Sequence, residues 1–143
     1  MTSKHPQVPA KILARIRVAC RGLPEVREES AWVGVRWRVR TKTFAHVLMI
    51  ANGWPPAYAE AAGTTGPACV LTFRSWGRAF EPETFDRQPF FRPRWFANIV
   101  GVAIDARTDW AALREHIALS YRTMAPKALL KALTADKSCA RRK

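Results

Sequence analysis

No apolar stretch in this chain approaches the ~20 residues that a membrane-spanning helix requires; Phe44 to Ala51 is among the longest. The opening residues, Met1 to Ala10, are polar and Pro-containing, without the apolar core of a secretory signal. These absences predict a soluble, cytoplasmic protein with no membrane partner. Cysteine is scarce and poorly placed for chemistry. Cys20, Cys69 and Cys139 are far apart and no C-x-x-C pair exists, which excludes a zinc ribbon or a thioredoxin-like site. The apolar neighbours of Cys20 and Cys69 predict buried free thiols. Histidine is limited to His5, His46 and His116, with neither H-x-x-x-H spacing nor a carboxylate–His pair, so no metal or cofactor is expected. G-x-S-x-G, G-x-G-x-x-G and Walker-type loops are missing too. Glu28 and Glu29 are adjacent and point apart on any regular backbone, which makes a poor acid/base pair. The chain reads as non-catalytic.

Acid is also in short supply. Eleven Asp and Glu stand against twenty-four Lys and Arg, for a formal net charge of +13. The excess gathers at the two ends: residues 1–24 hold five basic and no acidic side chains, and residues 110–143 hold eight against two. Such a balance favours polyanion partners, nucleic acid before acidic protein. Apolar material is not lacking. Of the 143 residues 48% are hydrophobic, six of them Trp and seven Phe, enough to build one real core.

Residues 1–8 read as a flexible arm. Pro9 to Arg21 predicts a helix with Ile12, Leu13, Ile16, Ala19 and Cys20 on one face and Lys11, Arg15, Arg17 and Arg21 on the other. After the Leu23-Pro24 turn comes an acidic patch of Glu25, Glu28 and Glu29. Val33, Val35, Trp37 and Val39 then alternate with Gly34, Arg36, Arg38 and Arg40, a half-buried strand whose phase Lys42 continues. Residues 44–50 form its hairpin partner, Asn52-Gly53 turns the chain, and 57–67 is a surface loop or a brief helical piece. Strands follow over 68–75 and 98–105. Between them, 76–95 is an irregular aromatic segment with a short helix near 82–87. Asp109 caps a helix in which Trp110, Leu113, Ile117, Tyr121 and Met124 recur at helical spacing. Pro126 opens a last short helix with Leu129, Leu130 and Leu133, and 134–143 is a basic tail.

This order predicts one α+β domain over 9–133: two layers, an antiparallel sheet flanked by an N-terminal helix and C-terminal helices. The helices cover one sheet face, and the other is wholly or partly wet. Alternate strand residues are about 6.6–6.8 Å apart, close to two rises of about 3.4 Å along a DNA strand. Arg36, Arg38 and Arg40, with Lys42, therefore predict a phosphate track on duplex DNA. A second cluster, Arg74, Arg78, Arg87, Arg92 and Arg94, interleaves with Phe80, Phe85, Phe90, Phe91, Trp95 and Phe96, a mixture suited to stacking or a groove contact. The same aromatics serve two alternative readings: they close one end of the core, or the 80–96 segment is a chaperone-like docking surface for a protein or peptide.

Several motifs resemble the YjbR family, the MmcQ/YjbR-like proteins, over about residues 10–133. Leu23-Pro24 followed by acidic residues is similar to that family's opening, and Trp32, Trp37-Arg38-Val39, Lys42 and Phe44-Ala45 to its next stretch. Val100-Gly101-Val102 resembles its later strand. Asp109-Trp110, Ser120-Tyr121-Arg122 and Ala125-Pro126-Lys127 resemble its ending. Thr41 and Ile99 depart from the family's usual Gly and Trp. The resemblance implies a CyaY-like or secretion-chaperone-like fold and a double-wing DNA-binding role. In that role two basic hairpins grip a duplex: Arg36, Arg38, Arg40 and Lys42 from one wing, and Arg74, Arg78, Arg92 and Arg94 from the other. Lys127 joins the expected nucleic-acid contacts, and the protein is expected to act as a monomer.

Overall fold

The computed structural model describes residues 6–74, 89–92 and 99–131. Helix α1 (Ala10–Cys20) leads into strands β1 (Val26–Ser30), β2 (Val35–Val39) and β3 (Lys42–Ile50). Helix α2 (Pro56–Ala62), strands β4 (Ala68–Arg74), β5 (Phe90–Phe91) and β6 (Ile99–Ile104), and helix α3 (Trp110–Met124) follow. Residues 127–131 are helical as well. The strands form one antiparallel sheet in the order β1-β2-β3-β4-β6-β5. The fold is thus α+β, an open antiparallel sheet with an N-terminal helix and C-terminal helices. No helix of the described residues is long and apolar enough to cross a membrane.

One face of the sheet is closed by α1 and α3. Trp37, Val39, Val47, Leu71, Phe73, Val100 and Val102 meet Ile16, Leu113, Ile117 and Tyr121 in a single cluster. The expected stripe of α3 is there: Leu113, Ile117 and Tyr121 are buried, and Trp110 and Met124 pack at its ends. Asp109 caps the helix, its side chain accepting from the Ala112 amide at 3.1 Å. Cys20 and Cys69 are buried free thiols, and burial pushes both up to about 12. Cys139 lies outside the described residues. Val8 is buried in the same cluster, although it falls in the stretch read as a loose arm.

The opposite face is not simply wet. Helix α2, read as a loop or a brief helical piece, lies on it and encloses a second cluster of Val33, Leu48, Ile50, Ala59 and Val70. Phe91 reaches this cluster by lying across Gly101, where a Cβ would stand 2.2 Å from the ring. Only Gly leaves room for that crossing. The cover does not extend over β1 and β2. There the outward side chains are Arg27 and Glu29 on β1 and Arg36 and Arg38 on β2.

Two strands escaped the sequence pattern. β1 reads as an acidic patch because only Val26 in Val-Arg-Glu-Glu-Ser is apolar. It is a strand because Val26 and Glu28 face Val39 and Trp37 across the ladder. β5 is two residues long, too short for any periodicity to show. The β1–β2 turn is tight: Gly34, at φ +77, sits where a Cβ would come within 1.9 Å of the Val47 carbonyl oxygen.

Candidate nucleic-acid interface

The β1–β2 ladder decides which charges meet. Glu29 pairs with Arg36 and Arg27 with Arg38, and cross-strand partners project to the same side. Arg36 donates from Nε and Nη2 to one oxygen of Glu29, at 2.9 and 2.6 Å. Arg38 donates from Nη1 to that same oxygen at 3.1 Å, and from Nη2 to the Thr41 carbonyl at 2.9 Å. The Nε of Arg38 is enclosed without a hydrogen-bond partner. Two arginines thus share a single carboxylate oxygen on the uncovered half of the outer face, and Arg27 stands opposite Arg38 on the same side.

The neighbouring glutamates are also engaged. Arg40 donates to both oxygens of Glu25, at 2.7 and 3.1 Å. Glu28, next to Glu29 but pointing the other way, accepts from Arg17 of α1 at 2.8 and 2.7 Å. The guanidinium hydrogen bonds hold all three carboxyls below the usual carboxylate range: Arg36 and Arg38 on Glu29, Arg40 on Glu25, and Arg17 on Glu28. These pairs are a third to a half exposed, and solvent screening leaves ion pairs so placed with little net effect on stability. They orient the arginines more than they stabilise the fold.

The expected row of Arg36, Arg38, Arg40 and Lys42 is only half realised. Arg36 and Arg38 share the outer face. Arg40 is not on the strand: it begins the hairpin turn with φ 58 and leans toward Glu25. Lys42 does not continue the phase. It opposes Val39 across the hairpin, which puts it on the helix-covered side. The chain has reversed direction, and an irregularity in the register between Trp37 and Arg38 shifts the phase of β3.

The other basic candidates do not converge on this row. Arg74, at the end of β4, is half-buried beside His46, Tyr58 and Thr72 around a cavity of about 170 Å³. Burial pulls its pKa down, against an opposing effect of Tyr58. Arg92 is exposed just after β5. Lys127 is exposed on the helical stretch 127–131, whose Leu129 enters the α1–α3 cluster, the opposite side of the sheet from Arg36. Arg78, Arg87 and Arg94 lie outside the described residues, as do Phe80, Phe85, Trp95 and Phe96. The described part of the aromatic segment belongs to the interior. Phe90 meets the His116 ring edge-on at 5.7 Å, and Phe91 lies across Gly101.

His46 is held neutral. Burial lowers its pKa, the bond to Val33 opposes the shift, and Arg36 on the adjacent strand adds to it. Its Nε2 donates to the Val33 carbonyl at 2.6 Å, which leaves Nδ1 to accept from the Tyr58 hydroxyl at 3.4 Å. Arg27, opposite Arg38 on the uncovered face, is a candidate residue that sequence reasoning missed. The signal was present: Val26, Glu28 and Ser30 alternate with Arg27 and Glu29, and that alternation complements the charges of β2. Comparison with protein-family models, with curated proteins and with solved structures finds no match.

Proposed function

We propose that the protein is a non-catalytic DNA-binding protein that holds duplex phosphates on the outer face of the β1–β2 hairpin. The observation that carries this reading is the sharing of one Glu29 oxygen by Arg36 and Arg38, with Arg27 opposite Arg38, on a face that no described helix covers. Four cations, Arg27, Arg36, Arg38 and Arg40, stand against the two carboxylates Glu25 and Glu29, which leaves the patch short of anion. Arg27 and Arg38 are like charges directly opposite on adjacent strands, an arrangement that an incoming phosphate relieves. Glu29 acts as a stand-in anion, keeping the guanidinium forks extended until phosphate oxygens displace it. The resemblance to the YjbR family and the charge of +13 support the same reading.

Fluorescence anisotropy with a blunt duplex at several salt concentrations tests it. Three phosphate contacts predict log K falling against log salt with a slope of about −3, with little dependence on base sequence. Replacing Arg27, Arg36 and Arg38 together by Gln removes most of that slope. Replacing the exposed Arg107, Arg114 and Arg122 by Gln changes net charge equally and serves as the control. Glu29→Gln raises duplex affinity and leaves the slope unchanged, because it removes a competing anion and adds no phosphate contact. Equal losses from the two triples, or no binding by the parent protein at low salt, reject the hairpin face as a nucleic-acid site.

A further inference from the structure

The covered half of the outer face is not apolar throughout. Leu48 and Val70, cross-strand partners on β3 and β4, belong to the cluster under α2. The next outward pair along the same ladder is His46 and Thr72, and Arg74 lies two residues beyond Thr72 on that side. Thr43 of β3 joins them, Ile99 of β6 stands opposite Arg74, and Tyr58 reaches in from α2. These residues line the cavity of about 170 Å³, and none of its lining residues is Asp or Glu. With His46 neutral, its formal charge is that of the Arg74 guanidinium.

The neighbouring strand adds positive potential. Arg36 opposes His46 and Arg38 opposes Thr43 across the β2–β3 ladder, so both stand one strand away from the cavity and on its side of the sheet. Arg36 is close enough to lower the pKa of His46. Burial works against the charge on Arg74, and an anion beside the guanidinium would favour that charge again. Hydroxyl donors face the same space. The Tyr58 hydroxyl reaches His46 Nδ1 at 3.4 Å, and Thr72 Oγ1 reaches the His46 carbonyl at 3.5 Å. Both are long beside the roughly 2.7–2.8 Å of a good hydroxyl bond, so either proton can turn to a stronger acceptor. Pockets that enclose whole drug-sized molecules measure roughly 300–1,000 Å³, so this cavity suits one small group. Arg74 would repel a cation, and an apolar group would leave the hydroxyls and the guanidinium without acceptors. Donors from both β4 and α2 suit the several oxygens of a phosphate better than the two of a carboxylate.

We propose that this cavity is a small-oxyanion site, in which the Arg74 guanidinium and the Tyr58 and Thr72 hydroxyls hold one phosphate group. The site is separate from the hairpin face and goes beyond the nucleic-acid reading. The group arrives as free inorganic phosphate or as the terminal phosphate of a strand lying on the neighbouring hairpin. Inorganic phosphate titrated into the isotope-labelled protein at constant ionic strength, with chloride as the balancing anion, tests it by NMR. The amides of Thr43, His46, Thr72 and Arg74 are expected to shift together along one saturable curve. Arg74→Gln is expected to weaken phosphate about 10- to 100-fold. Tyr58→Phe keeps the ring edge-on to His46 and is expected to weaken it about 2- to 10-fold. The amide spectrum of each variant away from the cavity shows that it is folded, and Tyr58→Phe carries the test if Arg74→Gln does not fold. Acetate is expected to bind more weakly than phosphate, and tighter binding of acetate overturns the phosphate assignment. Duplexes with phosphorylated and unphosphorylated ends separate the two sources. A preference for the phosphorylated end that Arg74→Gln abolishes assigns the strand terminus, and equal affinity assigns free phosphate. Shifts confined to Arg27, Arg36 and Arg38 place phosphate on the hairpin, overturn the cavity site and leave the nucleic-acid reading standing. No saturable shift, or equal phosphate binding by the parent and the folded variants, overturns the site whether or not duplex binds.

Discussion

The outer face of the sheet is two surfaces on one set of strands. Over β3 and β4 it is dry: Leu48, Ile50 and Val70 are fully buried beneath α2. Over β1 and β2 it is charged, with Arg36 and Arg38 sharing Glu29 and both arginine side chains at least a quarter exposed. The boundary runs between neighbouring strands, where Arg36 opposes His46. Strand character already differs between the halves: β2 alternates apolar residues with arginine, whereas β3 and β4 run almost continuously apolar, as strands covered on both faces do. What also differs is whether a later segment of the chain returns to cover them. The covered half contributes burial energy. The open half is held in shape by ion pairs whose net worth is small, so the proposed exchange of Glu29 for a phosphate is expected to leave the fold intact.

That contrast can be broken in order of expected effect. Leu48→Ala should destabilise by about 2–5 kcal/mol in urea unfolding, because the side chain is fully enclosed between sheet and helix. A loss under about 1 kcal/mol would mean that α2 does not seal this half. Ser120→Ala should lose about 1–3 kcal/mol. The Ser120 hydroxyl is fully buried, donates to the Phe44 carbonyl at 2.5 Å and accepts from the Arg74 amide at 2.7 Å, so the substitution strands both backbone groups. Arg36→Gln with Arg38→Gln should shift stability by no more than about 1 kcal/mol while changing duplex affinity. If stability falls as far as with Leu48→Ala, the ion pairs are structural and the proposed exchange fails.

The smallest effect is the pH dependence of the Glu29 contacts. The folded-state pKa of Glu29 is lowered by Arg36 and Arg38, so its contribution is present above the ordinary carboxylate value and disappears as pH falls through the lowered one. The stability difference between the parent and Glu29→Gln should therefore shrink toward zero as pH falls below the ordinary carboxylate range. A difference that grows on acidification would contradict the assigned partners.

The legible parts of the fold were those with a strong period. The stripe of α3 and the alternation of β2, β4 and β6 each put apolar residues where the core needed them, and the element order then gave the α+β class. The candidate site was harder to read. Arg36 and Arg38 were visible from their phase, but Arg40 and Lys42 depended on where the strand stopped, and a turn residue with φ 58 carries no periodic mark. The partners of the row were hidden for a related reason. Glu25, Glu28 and Glu29 look like one acidic patch in one dimension, yet β1 sends Glu28 to α1 and Glu29 to β2.

The bond between Ser120 and the Arg74 amide also gives the molecule a built-in reporter. A strand amide normally exchanges its proton when the ladder frays, but this one is held by a helix hydroxyl from forty-six residues further along the chain. Its exchange rate therefore follows the undocking of α3. Because the same hydroxyl binds the Phe44 carbonyl, lifting the helix releases β3 and β4 in one event. In a hydrogen-exchange experiment the Arg74 amide should thus group with the amides of α3, so that one resonance separates loosening of the helical layer from fraying of the sheet.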